Sequence, residues 1–493
     1  MTPTDLAERL EKITTQASQK LEAKVITTQN QLEGQVIAIL KDLEVDKDGY
    51  IVHSQANRKI IQKASNAFEA GVKNSTYFDG IQQYDNSIPL VDKANSAYFE
   101  FISQGYKPNA QYITSLKKDT IKSLESLLMQ DGLESQIKAP LVNILNQNIN
   151  SSAKFTDLLK SVQQYIVGTN QLDGKLLSYS KQITSDALFN YSRGYQQAVT
   201  SDLGLEWYLY AGGVTEGGKF SSGSRGFCIS KIGNYYDHDD VERWANSTWE
   251  GQRRGTNSST IFIYAGGYNC RHSIIPVSEN AVPKTNKDAK KLGKEAKSAG
   301  GELDATGKRI ANKYNAKITP INYKGYESMV RKANDELGGR VYADKVGSGI
   351  KDSVRNTIIT DKDNLKNVVG AVGSEKIIIG EVKVQNYVSS GYRGYLANVK
   401  LSNGTIGEIQ INTPEMIFAK EEPKIAKMVI GEAKWNEINK RTGLPGGLGH
   451  KYYEESRVIK KDNPNYEKLV EDISKKSRDY YSKFYYSYPD KWP

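Results

Sequence analysis

The 493-residue sequence predicts a multidomain protein, with an α-helical N-terminal region, a small α+β module and a C-terminal α/β domain built on a mixed sheet. Three observations lead there. The chain is too long for one ordinary core at roughly 100–200 residues per domain. Its glycines are unevenly placed, nine of the 42 in residues 1–200 and the other 33 in the last 293. No proline falls between Pro140 and Pro276, so long helices can run to about Thr200.

Taken in order, residues 1–200 carry apolar side chains at helical spacing, as in Leu6, Leu10 and Ile13, then Leu32, Val36, Ile37, Leu40 and Leu43. Turn residues place the breaks near Asp48-Gly49, around Pro89, at Tyr106-Lys107-Pro108 and from Gly132 to Pro140. From Leu205 the texture changes to aromatic runs between glycines: WYLYAGG, a polar SSGSRGFC loop, a short amphipathic helix over 239–249, and TIFIYAGGYNCRH. Residues 201–280 are therefore expected to form the compact α+β module. Residues 281–304, rich in Lys, Ala and Gly, read as a basic, solvated linker. Residues 305–493 form the last domain, in which helix-like segments (306–314, 326–337) alternate with strand-like ones (356–360, 377–384, 395–401, 407–411). Its Tyr-rich tail, RDYYSKFYYSYPDKWP, is expected to dock on its own domain rather than stack on nucleic-acid bases.

Hydrophobic residues at 38% exclude a wholly disordered chain, and Lys plus Arg exceed Asp plus Glu by 67 to 57. The net charge of +10 favours a polyanionic neighbour such as DNA or a phosphorylated ligand. The amino terminus alternates charged and apolar residues, and no run of about 18 apolar residues occurs. The expectation is a soluble protein made in a cytoplasm, with no membrane partner. Two cysteines, Cys228 and Cys270, exclude a disulfide framework.

The middle module groups Cys228, His238, Asp239, Asp240, Cys270 and His272. Thiolate and imidazole ligands suit zinc, yet only Cys270-x-His272 approximates metal-ligand spacing, so zinc is not expected here. A Cys228–Cys270 contact or disulfide, a structural cluster with His272, and plain packing stay open. The order of motifs is more informative: Gly204 to Gly213, Ser224-Arg225-Gly226-Phe227-Cys228, Gly233-x-Tyr235, a helix with Trp244, Gly251, Gly255-Thr256, and Gly266-Gly267-Tyr268-Asn269-Cys270-Arg271-His272. This series resembles the phage head morphogenesis family, the Mu F-like minor head proteins, with residues 1–200 lying where that family carries its portal-contacting helices. The resemblance implies a virion protein in the capsid interior, bound to the portal protein and other capsid proteins and close to packaged DNA. Arg225, Arg253, Arg254 and Arg271 are the candidates for phosphate contact.

In the last domain, Lys324, Ser328 and Lys332 recur every four residues, which on a helix stacks two cations and a hydroxyl on one face, a stripe that suits a triphosphate. Asp352 precedes a β-branched strand, and alternation puts Glu408 and Gln410 on the face opposite Ile409 and Ile411. Two carboxylates on neighbouring strands facing one cleft are what a magnesium ion needs to bridge phosphates.

Together with Gly391-Tyr392-Arg393, the run from Glu408 to Thr413, Met416, and Gly449-His450-Lys451-x-Tyr453, these residues resemble the synthetase domain of the RelA/SpoT alarmone synthetases over about 305–457. The resemblance implies a nucleotidyltransferase-like fold and transfer of pyrophosphate from ATP to the 3′-hydroxyl of a nucleotide or RNA, with Mg2+. It assigns nucleotide binding to Lys324, Ser328, Lys332, Arg355, Tyr392, Arg393 and His450. Magnesium falls to Asp352 and Glu408, which with Gln410 form the catalytic set, and Tyr392 stacks on the acceptor base. The chain departs from the family pattern where Asn322, Thr357 and Asn412 replace basic residues, although Arg355 stands close to Thr357. The histidine expected after Gly391-Tyr392-Arg393 is absent. The whole then reads as a virion protein carrying a pyrophosphotransferase, packaged or injected as a toxic effector. The alternative is a structural, DNA-binding virion protein whose last domain is inactive.

Overall fold

The computed structural model describes residues 1–214, 223–343, 349–387, 389–457, 459 and 464–488. Part of the polar loop before Cys228 and the last five residues of the tail lie outside them. The chain divides into two compact units, Met1–Val282 and Pro283–Pro493.

The first unit opens with a 38-residue helix, Pro3–Leu40, whose start is closed by a reciprocal capping box between Thr2 and Asp5. Leu6, Leu10, Leu21, Val25, Leu32, Val36 and Leu40 form its buried stripe. Helices Gln55–Lys73, Tyr77–Asp85, Ile88–Ile102, Phe155–Ile166 and Lys175–Leu203 gather around it. The break expected around Pro89 falls at Asn86-Ser87, between Tyr77–Asp85 and Ile88–Ile102. Pro89 and Pro140 each sit in the first turn of a helix, where the missing N–H has no partner to lose. Near Gly132 the break is at Gln130, after helix Ala110–Met129; from Asp131 the chain then stays helical through a π-turn, Glu134–Lys138, to Asn150. The helices expected up to about Thr200 are Ala139–Asn150, Phe155–Ile166 and the 29-residue Lys175–Leu203, separated at Ser152 and Gly168, both at positive φ.

Three short strands complete this unit: β1, Trp207–Ala211, β2, Tyr235–Asp237, and β3, Ser273–Val277, in antiparallel order β2-β1-β3. The expected helix over 239–249 is shorter, His238–Trp244. The module is also not a separate domain. Leu209, Ala211, Ile275 and Val277 join the same core as the helices, and Tyr98 donates a hydrogen bond of 2.7 Å to the Pro276 carbonyl. So small a sheet cannot bury a core of its own, and it takes the helices as its second layer.

The second unit begins with the segment expected to be a linker. Residues 281–304 are instead mostly the first part of a 30-residue helix, Lys284–Lys313, with Ala289, Leu292, Ala296, Ala299, Leu303 and Ile310 buried. Two of its glycines serve close approach. A Cβ at Gly300 would meet the Tyr323 hydroxyl at 2.4 Å, and one at Gly307 would meet Asn356 at 2.5 Å. Small residues here let the helix lie against the sheet, and that packing offsets the low helix propensity of glycine, about 1 kcal/mol each.

The sheet contains β4, Lys317–Ile318, β5, Asn322–Tyr323, β6, Val354–Ile359, β7, Lys383–Asn386, β8, Arg393–Lys400, and β9, Ile406–Asn412. The order is β4-β6-β9-β8-β7 with β5 also on β6; β6 and β9 are parallel and the remaining pairs antiparallel, the mixed sheet expected from the sequence. The strand expected over 377–384 starts later, because Gly380 turns at φ 72° and Ile378 makes only an isolated bridge to Val399. The tail docks on its own unit: Tyr480, Tyr481, Phe484 and Tyr488 are buried, and Tyr488 donates to the Arg393 carbonyl at 3.0 Å. Among the described residues no helix is long and apolar enough to cross a membrane.

Candidate active site

The site is built where β6 and β9 run side by side. Their parallel register sets Arg355 opposite Glu408 and Thr357 opposite Gln410. Ile409 and Ile411 enter the hydrophobic core, so alternation turns Glu408 and Gln410 to the other face, as the sequence pattern predicts. Gln410 donates its amide N–H to Glu408 Oε1.

Lys324 does not lie on a helix with Ser328 and Lys332. It follows β5, its backbone N–H bonded to the Ser353 carbonyl at 2.9 Å, and Gly325 is extended at the start of helix Tyr326–Glu336. β-Sheet pairing of Asn322 and Tyr323 with β6 overrides the helical spacing. The two lysines still converge: Lys324 Nζ is 2.8 Å from Asp352 Oδ2 and Lys332 Nζ is 3.0 Å from Asp352 Oδ1. Ser328 is exposed and takes no part in this contact.

Electrostatics divides the two carboxylates. Burial disfavours ionised Asp352, but Lys324 and Lys332 outweigh it and hold its pKa below the ordinary value. Burial pushes the pKa of Glu408 up; the Gln410 hydrogen bond opposes this, the Asp352 charge adds to it, and Arg355 and Lys420 pull it back. Asp352 is thus the fixed anion and Glu408 the adjustable one.

Lys420 is a site residue that the sequence patterns did not indicate. It ends helix Pro414–Lys420, whose first turn is capped by the Thr413 hydroxyl, and its Nζ lies 3.3 Å from Gln410 Oε1 and 3.1 Å from Glu421. It also stands 5.8 Å from the centre of the Tyr392 ring. A lysine one helix beyond the strand motif carries no spacing signal. A cation directly after an apolar run, Met416 to Ala419, is the hint the sequence offers.

Other expectations change. Tyr392 is only 9% exposed, its hydroxyl accepts from Asn412 Nδ2 at 2.7 Å, and Tyr387 stacks on it at 6.1 Å. The ring open to a base is Tyr387, at 50% exposed. Asn412, where the family pattern has a basic residue, thus holds Tyr392 in place. The Arg393 guanidinium lies 3.5 Å over the Tyr485 ring, engaged by the tail. His450 is exposed on helix Leu448–Arg457 with its ring 6.4 Å from Tyr453. The structure therefore gathers Lys324, Lys332, Asp352, Arg355, Glu408, Gln410 and Lys420, and leaves Ser328, Arg393 and His450 outside that group.

A magnesium ion fits the donor chemistry. Asp352 and Glu408 supply the carboxylate oxygens such an ion takes, and a bound ion would share Asp352 with Lys324 and Lys332.

In the first unit, Arg253 pairs with Asp186, and Arg225 donates to the carbonyls of Gly266 and Tyr268. Internal contacts therefore occupy two of the four arginines expected to meet phosphate, while Arg254 and Arg271 are exposed. Cys228, Cys270 and His272 meet as a buried cluster with both thiols free, so the disulfide alternative is not what the structure shows.

Over 183 residues the chain is 33% identical to the (p)ppApp synthetase toxin Tas1 of Pseudomonas aeruginosa (strain UCBPP-PA14). The chain carries a RelA/SpoT-like synthetase domain. That match takes in 36% of this chain and 38% of Tas1, so the chain spans well under half the length of the curated relative. Among solved structures, the complex between the Type VI effector Tas1 and its immunity protein is 33% identical, with 40% of this chain and 96% of that chain covered and a TM-score of 0.34. Small alarmone synthetase 1 from Bacillus subtilis is 20% identical (38% of this chain, 86% of that chain, TM-score 0.23). A GTP pyrophosphokinase family protein from Streptococcus pneumoniae is also 20% identical (38% and 85%, TM-score 0.23). No protein-family model matches the chain. None of these relatives of the RelA/SpoT-like domain is a head protein, and the portal and capsid roles rest on the motif resemblance alone.

Proposed function

We propose that the RelA/SpoT-like domain transfers pyrophosphate from ATP to the 3′-hydroxyl of an adenine nucleotide, and that the chain acts as a toxic effector. The observation that carries this reading is the convergence of Lys324 and Lys332 on Asp352, with Glu408 and Gln410 on the adjoining strand. The similarity to a (p)ppApp synthetase toxin points to the adenine acceptor.

In the reaction the 3′-oxygen bonds to the β-phosphorus of ATP, the bond from that phosphorus to the α–β bridging oxygen breaks, and AMP leaves. Glu408, whose burial raises its proton affinity, accepts the hydroxyl proton. Lys324 and Lys332 place two positive charges beside the polyphosphate, and Lys420, through Gln410, keeps Glu408 oriented. Positioned charges of this kind are typically worth a factor of about 10²–10³ in rate. Magnesium, held by Asp352 and Glu408, would supply neutralisation of phosphate charge. Tyr387, stacked on Tyr392, offers the exposed ring for the acceptor base.

The test uses the full chain with labelled ATP, Mg2+ and, separately, ADP, GDP and RNA. A pyrophosphorylated adenine nucleotide that disappears in Glu408→Gln supports the proposal. Product on GDP or RNA alone would replace the acceptor, and no product with any of them would leave the structural, inactive alternative. Delivery is proposed from the head-protein resemblance: the chain resides in virions near the portal. In producing cells an immunity partner neutralises it, by analogy with the Type VI effector Tas1, which forms a complex with its immunity protein. Purified particles lacking the chain would sink the virion reading without touching the enzyme reading.

A further inference from the structure

The first unit holds a group of soft donors that pyrophosphate transfer does not use. The Cys228 and Cys270 sulfurs and a ring nitrogen of His272 lie within 4.8 Å of one another, and all three residues are buried. Cys228 comes from the short helix Gly226–Ile229, while Cys270 and His272 precede β3. Both thiols are free.

The distances suit a metal. Cys270 Sγ is 3.5 Å from His272 Nδ1. A tetrahedral zinc with bonds of about 2.3 Å to sulfur and about 2.0–2.1 Å to nitrogen separates such donors by roughly 3.5 Å. The Tyr210 hydroxyl lies 3.2 Å from Cys228 Sγ and 3.9 Å from Cys270 Sγ, on the same group.

The imidazole is also in the right tautomer. His272 Nε2 is 3.1 Å from the Gly213 carbonyl oxygen, which can only accept, so the proton sits on Nε2 and the Nδ1 lone pair faces the sulfurs. A backbone carbonyl on the distal nitrogen is the usual outer partner of a metal-bound histidine. Tyr210, stacked on the ring at 5.6 Å, fixes its plane, and buried Arg193 donates to the carbonyls of both Cys270 and His272, fixing the backbone between them.

The backbone leaves room beside the sulfurs only because residue 266 is glycine. A Cβ there would stand 2.4 Å from Cys228 Sγ, 2.8 Å from Cys270 Sγ and 3.0 Å from the Tyr210 hydroxyl. Without a metal the Nδ1 lone pair meets the Cys270 thiol at 3.5 Å, and a thiol is a weak donor, so a metal would use that lone pair more fully.

We propose that Cys228, Cys270 and His272 bind one Zn2+ as a structural site of the first unit, with the Tyr210 hydroxyl or a water as fourth donor. Binding replaces the two thiol protons, so two thiolates balance the dication and about two protons are released per ion, fewer if one thiol is already ionised.

The full chain, purified under reducing conditions, is assayed for metal content, stripped with a chelator and titrated with Zn2+ and with Co2+. The expected results are one zinc per chain, and for Co2+ the intense d–d bands of four-coordination with a thiolate-to-cobalt charge-transfer band. Cys228→Ser and Cys270→Ser should each lose stoichiometric zinc. Gly266→Ala removes no donor but crowds both sulfurs, and should weaken zinc by about tenfold or more while the circular dichroism is kept. The wild-type cobalt spectrum decides the matter even if the variants fail to fold. Wild-type chain that takes up no zinc or cobalt with its thiols reduced, or that carries a Cys228–Cys270 disulfide before reduction, overturns the proposal. None of these readouts depends on pyrophosphate transfer.

Discussion

Lys420 Nζ stands 3.3 Å from Gln410 Oε1, while the amide N–H of the same glutamine is given to Glu408. A cation, an amide and a carboxylate thus form a short relay across β9 and the helix after it. The amide cannot flip without turning its NH2 toward an ammonium group, so Lys420 fixes which end of Gln410 faces Glu408. Lys420→Met should lower kcat by about 10²-fold, the scale of losing one placed charge. Because Lys420 also pulls the Glu408 pKa down, the acid limb of the pH–rate profile should move to higher pH in the variant. A profile that keeps its position while kcat falls would assign Lys420 to phosphate contact instead.

Asp352 carries two ammonium partners, at 2.8 and 3.0 Å. Its folded pKa lies below the ordinary 3.8, so its contribution to stability is present above that value and is lost as pH falls through the lower folded one. Lys332→Ala should raise the KM for ATP by about tenfold and cost about 1–3 kcal/mol at neutral pH, since a buried charge loses one of its partners. Its acid unfolding midpoint should also rise. ATP saturation and acid titration followed by circular dichroism check both.

Glu408 behaves in the opposite sense. Its pKa is raised above 4.5 by burial, so its contribution is fully present below that value and disappears as pH rises through the folded pKa. Glu408→Gln should therefore abolish product yet unfold at higher urea at pH 8, by on the order of 1 kcal/mol, a trade of stability for function. Activity should rise with pH along the acid limb as Glu408 ionises.

Gly300 and Gly301 are neighbours with opposite surroundings: a Cβ at 300 meets the Tyr323 hydroxyl at 2.4 Å, and one at 301 meets nothing within 4 Å. Gly300→Ala should destabilise the chain by about 1–3 kcal/mol through overpacking. Gly301→Ala should stabilise it by about 0.5–1 kcal/mol through helix propensity. A flexible linker would show neither effect in thermal unfolding.

Burial, with help from Glu125, raises the Asp85 pKa from 3.8 to about 7, and its Oδ1 has no hydrogen-bond partner among the described residues. Its contribution is full below 3.8 and is lost as pH rises through about 7. Asp85→Asn should therefore gain on the order of 1 kcal/mol at pH 8 and little at pH 5, which urea unfolding at the two values measures.

Local periodicity by itself determined a good part of this protein. Apolar residues every three or four positions made the first region helical, and β-branched alternation placed β6, β8 and β9. The period of two put Glu408 and Gln410 on one face because a strand's side chains alternate wherever the strand lies. What faces that side was decided only by tertiary structure. Lys324 leaves the helical stripe because β5 pairs with β6, and Lys420 reaches the site from a separate helix. Tyr392 is covered by Tyr387, and the glycine-rich stretch before Gly307 turns from tether into core helix because a sheet lies against it. Cys228 meets Cys270 and His272 across a long loop whose spacing resembles no metal motif. In each case the residue's own sequence neighbours carry the backbone preference, and the partner that gives it a role comes from a distant part of the chain.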